Sequence, residues 1–138
     1  MPGTFLVTRR LHFSAGGRLH SPHLSDEENR RVYGKCNNPN GHGHNYWVEV
    51  TVRGPKDSRT GMVIDLKELD RVVRERVLDE VDHAFLNLDV PWLEGVVPTT
   101  ENLAEAFWAR LQGHVPAPAA LHEVRVEETE KNFVTYRG

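Results

Sequence analysis

The feature that most constrains the fold is a strict alternation of side chains over residues 43–54. Tyr46, Val48, Val50 and Val52 alternate with polar or amphipathic residues, and side chains on a β-strand repeat every two residues. One face of this strand therefore has to pack against a core, while the other face can contact water. A strand of this kind requires neighbouring strands and a second packing layer, so the chain must contain a sheet.

Three further segments supply partners for this strand. Residues 4–13 show the same alternation and predict a first strand. After a proline-containing stretch, strands are also predicted near residues 121–128 and 132–137. The predicted sheet therefore has four strands.

Two long helices are predicted between the second and third strands. Asp65 is a suitable N-cap, and apolar residues follow it at helical spacing. This stripe consists of Leu66, Leu69, Val72, Val73, Val77 and Val81. The second helix begins at Thr99 or Thr100 and ends at Gly113.

The order strand, strand, helix, helix, strand, strand predicts an α+β domain with two helices on one face of a four-stranded antiparallel sheet. The Ser25-x-x-Glu28 pattern of a capping box adds a short helix over residues 26–32. The length fits one domain, residues 1–138. Because such a sheet has two open edges, which proteins cover, blunt or pair with another copy, we expect oligomerisation.

Composition and charge exclude several classes of protein. The net charge of −3 and the lack of a basic stripe argue against a nucleic-acid partner. No apolar run approaches the roughly 20 residues that span a bilayer, so no membrane partner is expected. The single cysteine excludes an internal disulfide and fits a reducing compartment. The first residues lack the order of a secretory signal, so we expect a cytoplasmic location.

The segment from Gly34 to Tyr46 has the highest density of chemically useful side chains. If the strand begins near His42, then His42 and His44 point to the same side, which suits a zinc site with an open ligand position. The alternative is two solvated histidines at a strand start. Cys36 lies in a polar loop that is unsuited to burying an apolar side chain, so it is either a proton-carrying thiol or a metal ligand.

Polar residues at the ends of other elements are further candidates. Asp82 and His83 close the first long helix and suit a general acid or base, although a helix C-terminus by itself also favours a histidine. On the predicted strand, Glu128 lies on the same side as the apolar residues Val124 and Val126. A carboxylate there either binds a guanidine-like ring edge, pairs with an arginine, or is solvated at the strand end. Thr99 and Thr100 cap a helix whose free N–H groups can also hold an anionic or carbonyl ligand.

Taken together, these segments resemble the 6-pyruvoyl-tetrahydropterin synthase family over nearly the whole chain. The resemblance is carried by residues 24–29, 34–46, 60–63, 82–83, 88–91, 99–102 and 128–129. It implies a tunnelling fold in which trimers form barrels and two trimers stack as a homohexamer. It also implies a zinc-dependent lyase acting on 7,8-dihydroneopterin triphosphate. Triphosphate is eliminated with Mg²⁺ assistance, and an internal redox rearrangement gives 6-pyruvoyl-tetrahydropterin.

The resemblance also implies roles for individual residues, carried over by position. Cys36 would be the base that abstracts a proton, and Asp82 and His83 would complete the proton relay. Glu128 would anchor the pterin ring, and Thr99-Thr100 would lie along the pterin pocket. These roles would place acid–base groups and ring-binding groups around one substrate.

The resemblance fails at one position in the zinc site. His42 and His44 would be two of three zinc ligands, but Gly17 stands where the family has its first histidine, in the stretch Ser14-Ala-Gly-Gly-Arg-Leu19. Because the loss of a ligand weakens zinc binding, either a nearby histidine replaces it or none does. The candidates are His12, His20 and His23.

Two other functions stay open. One is a 6-carboxy-tetrahydropterin synthase of 7-deazaguanine (queuosine) biosynthesis, whose branch has a shorter Cys-x-x-x-His-x-His spacing. Five residues separate Cys36 from His42, which favours the pyruvoyl synthase. The other is an inactive pterin-binding relative, because Gly17 replaces a zinc ligand. It predicts ligand binding without turnover.

Overall fold

The computed structural model describes residues 3–138, and its four strands form one antiparallel sheet. The sheet order follows the chain order, β1-β2-β3-β4, and each strand pairs with the next. The strands are β1 (Phe5–Gly17), β2 (His42–Gly54), β3 (Ala120–Glu127) and β4 (Phe133–Tyr136). The predicted α+β class and strand order are confirmed.

The helices fill the connections between strands. They are α1 (Asp26–Tyr33), α2 (Leu66–Val73), α3 (Asp79–Val81) and α4 (Thr100–Leu111). Short 3₁₀ turns cover Gly34–Asn37 and Pro91–Leu93. The capping box of α1 is present, since the Ser25 side chain accepts from the Glu28 N–H and the Glu28 carboxylate accepts from the Ser25 N–H. No helix in residues 3–138 is long and apolar enough to cross a bilayer.

The first long helix differs from its prediction in two respects. A π-helical turn over Arg74–Leu78 joins α2 to α3, so the segment is not a uniform α-helix. A π turn accommodates one extra residue, and both Val77 and Leu78 are buried within this turn. Leu66, the first residue of the predicted stripe, is 47% exposed because it opens the helix beside solvent.

One face of the sheet packs against the helices and forms the core. Leu11, Phe13 and Ala15 on β1 are buried on this face. Phe13 stacks on Tyr46 of β2 with ring centroids 4.7 Å apart, and it meets Phe107 of α4 edge-on at 5.8 Å. These contacts help to hold α4 on this face of the sheet, where it lies mainly against β3 and β4.

The paired region of β1 and β2 is longer than predicted. β1 extends to Gly17, four residues beyond the predicted end at 13, and Gly17 pairs with His42. Because β3 runs antiparallel to β2, its C-terminal end lies at the same end of the sheet as His42. The N-terminus of α4 also reaches this end, where Thr100 contacts Glu128. Three strand ends and one helix start therefore meet in one place.

Candidate functional site

Two histidines open strand β2 and face the same side. His42 and His44 are two residues apart on the strand, opposite Gly17 and Ala15 of β1. Their ring centroids are 4.8 Å apart. The Nδ1 atom of His42 and the Nε2 atom of His44 are buried and have no hydrogen-bond partner among the described residues. Buried polar atoms are almost always paired, so two neighbouring orphans indicate a place for a ligand.

Glu128 completes this group from the end of β3. Its Oε1 lies 2.9 Å from His44 Nε2. The two atoms are close enough for an electrostatic contact, but they are not aligned as a hydrogen bond. Its Oε2 accepts a hydrogen bond from the Thr100 hydroxyl at 2.9 Å. Potential ligand atoms of His42, His44 and Glu128 all lie within 4.8 Å of one another, so the group can bind a metal ion.

A cavity of about 120 Å³ opens beside this group. It contains the three side chains, and Thr99 and Thr100 reach it from the start of α4. Gly17, which the sequence indicated as the altered ligand position, also lines it. The remaining lining residues, which the sequence did not indicate as site residues, are Leu19, Tyr46, Pro98 and Glu101. Tyr46 could have been predicted to line the cavity, because on β2 it points to the same side as His42 and His44.

The two threonines have different hydrogen-bonding partners. Thr99 is the N-cap of α4, and its Oγ1 accepts from the Asn102 N–H at 3.1 Å. Thr100 is the first residue of the helix, and its hydroxyl donates to Glu128 instead. One hydroxyl therefore holds the helix, and the other orients a carboxylate in the cavity.

Cys36 lies in the 3₁₀ turn Gly34–Asn37 and is half-buried. Its carbonyl accepts from the Leu19 N–H at 2.9 Å, and the buried Asn37 amide donates to the Leu19 carbonyl at 2.7 Å, so the turn is fastened to the chain after β1. Burial raises the pKa of the Cys36 thiol, and the negative charge of Glu128 raises it further. A thiolate at Cys36 therefore needs a cation close by.

His83 lines a second cavity, of about 550 Å³, which shares His44 with the first, and Asp82 lines neither of the two. Asp82 Oδ1 accepts from the Ser14 N–H at 3.0 Å and lies 3.1 Å from His83 Nδ1. The Ser14 hydrogen bond, and then His83, hold the pKa of Asp82 below its ordinary value. His83 has a φ of +63° and an 83% exposed side chain. Within one chain, neither Asp82 nor His83 lines the cavity that contains His42 and Glu128.

None of the three nearby histidines replaces the side chain missing at Gly17. His12 has the opposite parity and packs edge-on against Trp47, with ring centroids 5.1 Å apart. His20 Nδ1 lies 3.0 Å from the Asn37 amide nitrogen, and His23 lines a separate surface cavity. Among the described residues, the group with His42 and His44 has Glu128 as its third member.

Gly17 leaves space on the side of β1 that faces the cavity. A Cβ atom at this position would lie 3.4 Å from Asn87 Oδ1, 3.4 Å from Pro98 Cγ and 3.8 Å from Leu86 Cβ, which are ordinary contact distances. The backbone there is held by Asn87, whose Oδ1 accepts from the Arg18 N–H at 2.7 Å. The position is therefore ordered, and the space of a side chain at position 17 belongs to the cavity.

Comparison with known proteins identifies close relatives. A family model described as 6-pyruvoyl tetrahydropterin synthase matches residues 6–138. The 6-pyruvoyl tetrahydrobiopterin synthase of Poecilia reticulata is 54% identical over 132 residues, covering 96% of this chain and 89% of the relative. The enzyme of that name from Homo sapiens is 51% identical over 132 residues, covering 96% of this chain and 90% of the relative. The solved structure of Caenorhabditis elegans 6-pyruvoyl tetrahydropterin synthase superposes with a TM-score of 0.94 at 44% identity, covering 99% of this chain and 97% of that one.

Proposed function

This chain belongs to the 6-pyruvoyl tetrahydropterin synthase family, and we propose that it is a synthase of that kind. The reaction is the elimination of triphosphate from 7,8-dihydroneopterin triphosphate, followed by rearrangement of the side chain to give 6-pyruvoyl-tetrahydropterin. This is a carbon–oxygen lyase reaction. The observation that carries the proposal is the cavity where His42, His44 and Glu128 meet, in a chain with relatives of about 50% identity over nearly its whole length.

The donor groups in the cavity fit a zinc ion. Two imidazole nitrogens without hydrogen-bond partners are donors of the type found in catalytic zinc sites, which keep one position for water or substrate. Zinc, when bound, stabilises negative charge on substrate oxygens next to the carbon that loses a proton. Mg²⁺ accompanies the triphosphate, because hard cations prefer phosphate oxygens.

The ring-binding role goes to Glu128 and the threonines. A carboxylate accepts two parallel N–H bonds from the guanidine-like edge of a pterin. Thr100 fixes the rotation of the carboxylate, and Thr99 holds the first turn of α4 against the cavity. The N–H groups at this helix start also favour a carbonyl or anionic group on the ligand.

The proton relay consists of Cys36, Asp82 and His83. Glu128 raises the pKa of the Cys36 thiol, so a cation in the cavity would oppose that effect and favour the thiolate. Because Asp82 and His83 do not line the first cavity and Cys36 lines neither cavity, we infer that a second copy brings its own pair to Cys36. A homohexamer built as a dimer of trimers provides such contacts, and the free edges of β1 and β4 are available to form it.

Gly17 supports one alternative, an inactive relative that binds pterins without turning them over. The 6-carboxy-tetrahydropterin synthase is disfavoured by the five residues between Cys36 and His42. The cytoplasmic location and the organisation of residues 1–138 as one domain stay predictions.

Product analysis by mass spectrometry tests the proposal. Zinc-loaded protein is incubated with 7,8-dihydroneopterin triphosphate and Mg²⁺, with C36A as the matched variant. We expect a 6-pyruvoyl product from the parent and retained ligand binding without product from C36A. A 6-carboxy product would identify the alternative synthase. Binding without any product from the parent would identify the inactive relative.

A further inference from the structure

We propose that the hydroxyl of Tyr46 is a ligand-binding group of this cavity. It donates a hydrogen bond to an acceptor atom of the pterin ring, beside the N–H edge that Glu128 holds. Tyr46 is then a residue that helps to select the ring of the ligand. This inference deepens the proposed function and rests on it in one respect, since it takes a pterin as the ligand of the same cavity.

The packing of the Tyr46 ring carries the first step. Tyr46 is only 5% exposed, and it lines the cavity together with His42 and His44. Its ring stacks on Phe13 with centroids 4.7 Å apart and meets His44 edge-on at 5.7 Å. These contacts restrict the ring, so the direction of the hydroxyl is set before a ligand arrives, which favours binding.

The second step is that the Tyr46 hydroxyl has no partner in the protein. No hydrogen bond joins it to any of residues 3–138, and it is not one of the unpaired polar atoms that are sealed from solvent. Because Tyr46 lines the cavity, its hydroxyl opens into it. The hydroxyl of a buried tyrosine usually has a hydrogen-bond partner. A ligand in the cavity would be that partner.

The register of the sheet places Tyr46 beside the ring-binding carboxylate. Tyr46 lies on the same face of β2 as His44, two residues further along the strand. Trp47 pairs with Glu127 at the end of β3, so Glu128 follows at the level of Tyr46. Burial raises the pKa of the Tyr46 hydroxyl, and the negative charge of Glu128 raises it further. The hydroxyl therefore keeps its proton and can donate it to a ligand that Glu128 holds.

The groups on a pterin ring match this pair of side chains. The guanidine-like edge offers two parallel N–H donors, which a carboxylate such as that of Glu128 accepts. Acceptor atoms flank this edge, a carbonyl oxygen on one side and a ring nitrogen on the other. An ionised carboxylate cannot donate to an acceptor, whereas a phenolic O–H can. Glu128 and Tyr46 together therefore suit a ring in which donors and an acceptor are adjacent.

The other two hydroxyls that line the cavity already have partners. The Thr100 hydroxyl donates to Glu128 Oε2 at 2.9 Å, and the Thr99 Oγ1 accepts from the Asn102 N–H at 3.1 Å. Of the three cavity hydroxyls, that of Tyr46 has no hydrogen bond within residues 3–138. Tyr46 is therefore the hydroxyl that is placed to bind a ligand directly.

Ligand binding to Y46F tests this inference, because the substitution removes the hydroxyl and keeps the ring that packs on Phe13. Isothermal titration of the full chain with 7,8-dihydroneopterin, which is not turned over because it lacks the triphosphate, gives the Kd. We expect Y46F to bind about three- to tenfold more weakly, which is the range of one hydrogen bond between neutral groups. Y136F is the matched control, since Tyr136 packs edge-on against Trp108 outside the cavity, and its Kd should equal that of the parent.

A second ligand and a stability measurement make the test specific. The ligand 7,8-dihydropterin has the same ring without the side chain, so Y46F should weaken the binding of both ligands by the same factor. Because the hydroxyl has no partner in the protein, its removal should not destabilise the fold. Thermal unfolding of ligand-free Y46F should therefore give a Tm equal to or above that of the parent.

Three results would overturn the inference. Equal Kd values for the parent and Y46F would show that the hydroxyl does not bind the ligand. A loss confined to 7,8-dihydroneopterin would place the contact on the side chain of the ligand, and weaker binding together with a lower Tm would mean that the hydroxyl acts through the fold.

These measurements are independent of catalysis. Ring binding that depends on Tyr46, in a parent protein that forms no 6-pyruvoyl product, would retain the inference and reject the proposed function. Product formation by the parent, together with unchanged binding by Y46F, would retain the proposed function and reject the inference.

Discussion

The adjacent threonines at the start of α4 allow two effects to be separated by matched substitutions. T100V removes the hydroxyl that donates to Glu128 Oε2 at 2.9 Å and keeps the branched shape of the side chain. T99V removes the hydroxyl that caps the helix by accepting from the Asn102 N–H. We expect T100V to act mainly on ligand affinity and T99V to act mainly on the free energy of unfolding.

The magnitudes follow from the two environments. A hydrogen bond to a charged group contributes about 1.5–3 kcal/mol. The Glu128 side chain is 27% exposed, so water can partly replace the hydroxyl, which favours the lower end of that range. In free T100V the partly exposed carboxylate can turn to water, which limits the loss of folding stability. Ligand binding then has to restore the orientation that the hydroxyl fixed, and a cost of about 1.5 kcal/mol corresponds to roughly tenfold weaker binding. Loss of a helix N-cap costs about 1 kcal/mol, which lowers the Tm of a domain of this size by roughly 3–5 °C.

Isothermal titration with 7,8-dihydroneopterin, which lacks the triphosphate and so avoids turnover, measures affinity, and thermal unfolding measures stability. The expected pattern is a larger Kd for T100V than for T99V, and a lower Tm for T99V than for T100V. The reasoning is refuted if T100V binds as tightly as the parent, or if the two variants change Kd and Tm in the same proportion.

Three further predictions concern stability. H83G removes a side chain from a φ of +63°, a conformation that costs non-glycine residues about 1–2 kcal/mol. Part of this gain is offset by glycine's greater unfolded-state entropy, so urea unfolding should show about 0.5–1 kcal/mol more stability, and an unchanged midpoint would contradict the strain. The Arg10 hydrogen bond lowers the pKa of Glu127 below its ordinary 4.5, so its stabilisation is present above pH 4.5 and is lost as pH falls through the lower folded value. E127Q should therefore have a flatter stability profile below pH 4.5, and parallel profiles would exclude this contribution. F107A empties a fully buried site beside Phe13 and should lose about 3–5 kcal/mol in urea unfolding, whereas a loss under about 1.5 kcal/mol would mean that the core collapses to fill the space.

Much of the fold could be predicted because its signals are local. The alternation in β2, the capping box of α1 and the threonine cap of α4 each depend on a few consecutive residues. The extension of β1 to Gly17 could not be predicted this way, because glycines carry no side-chain pattern and the strand is held there by pairing with β2. The π turn at Arg74–Leu78 could not be predicted either, because one inserted residue hardly changes the spacing of apolar residues along the helix.

Several residues that line the cavity could be named from the sequence, but the contacts between them could not. His42 and His44 follow from strand parity, whereas the contact between His44 and Glu128 depends on the register between β2 and β3. The parity of Glu128 with Val124 and Val126 was a usable signal that all these side chains share one face. The separation of Asp82 and His83 from the cavity depends on how a helix end meets Ser14, which no sequence pattern specifies.

That separation leads to a quantitative test of how subunits share the proposed site. If Cys36 acts with Asp82 and His83 of another copy, C36A and H83G should each be inactive alone but complement each other when co-expressed. In a randomly mixed 1:1 assembly, a site is intact only if its Cys36 comes from the H83G chain and its His83 comes from the C36A chain. Each condition is met in about half of the sites, so about one quarter of the sites, and of the parental activity, should remain. Co-expression of C36A with the double variant C36A/H83G is the control and should give none. Native mass spectrometry verifies that mixed assemblies form. Mixed assemblies without activity, while the parent is active, would mean that each chain uses its own Asp82 and His83, and that the structure must rearrange to bring them to Cys36.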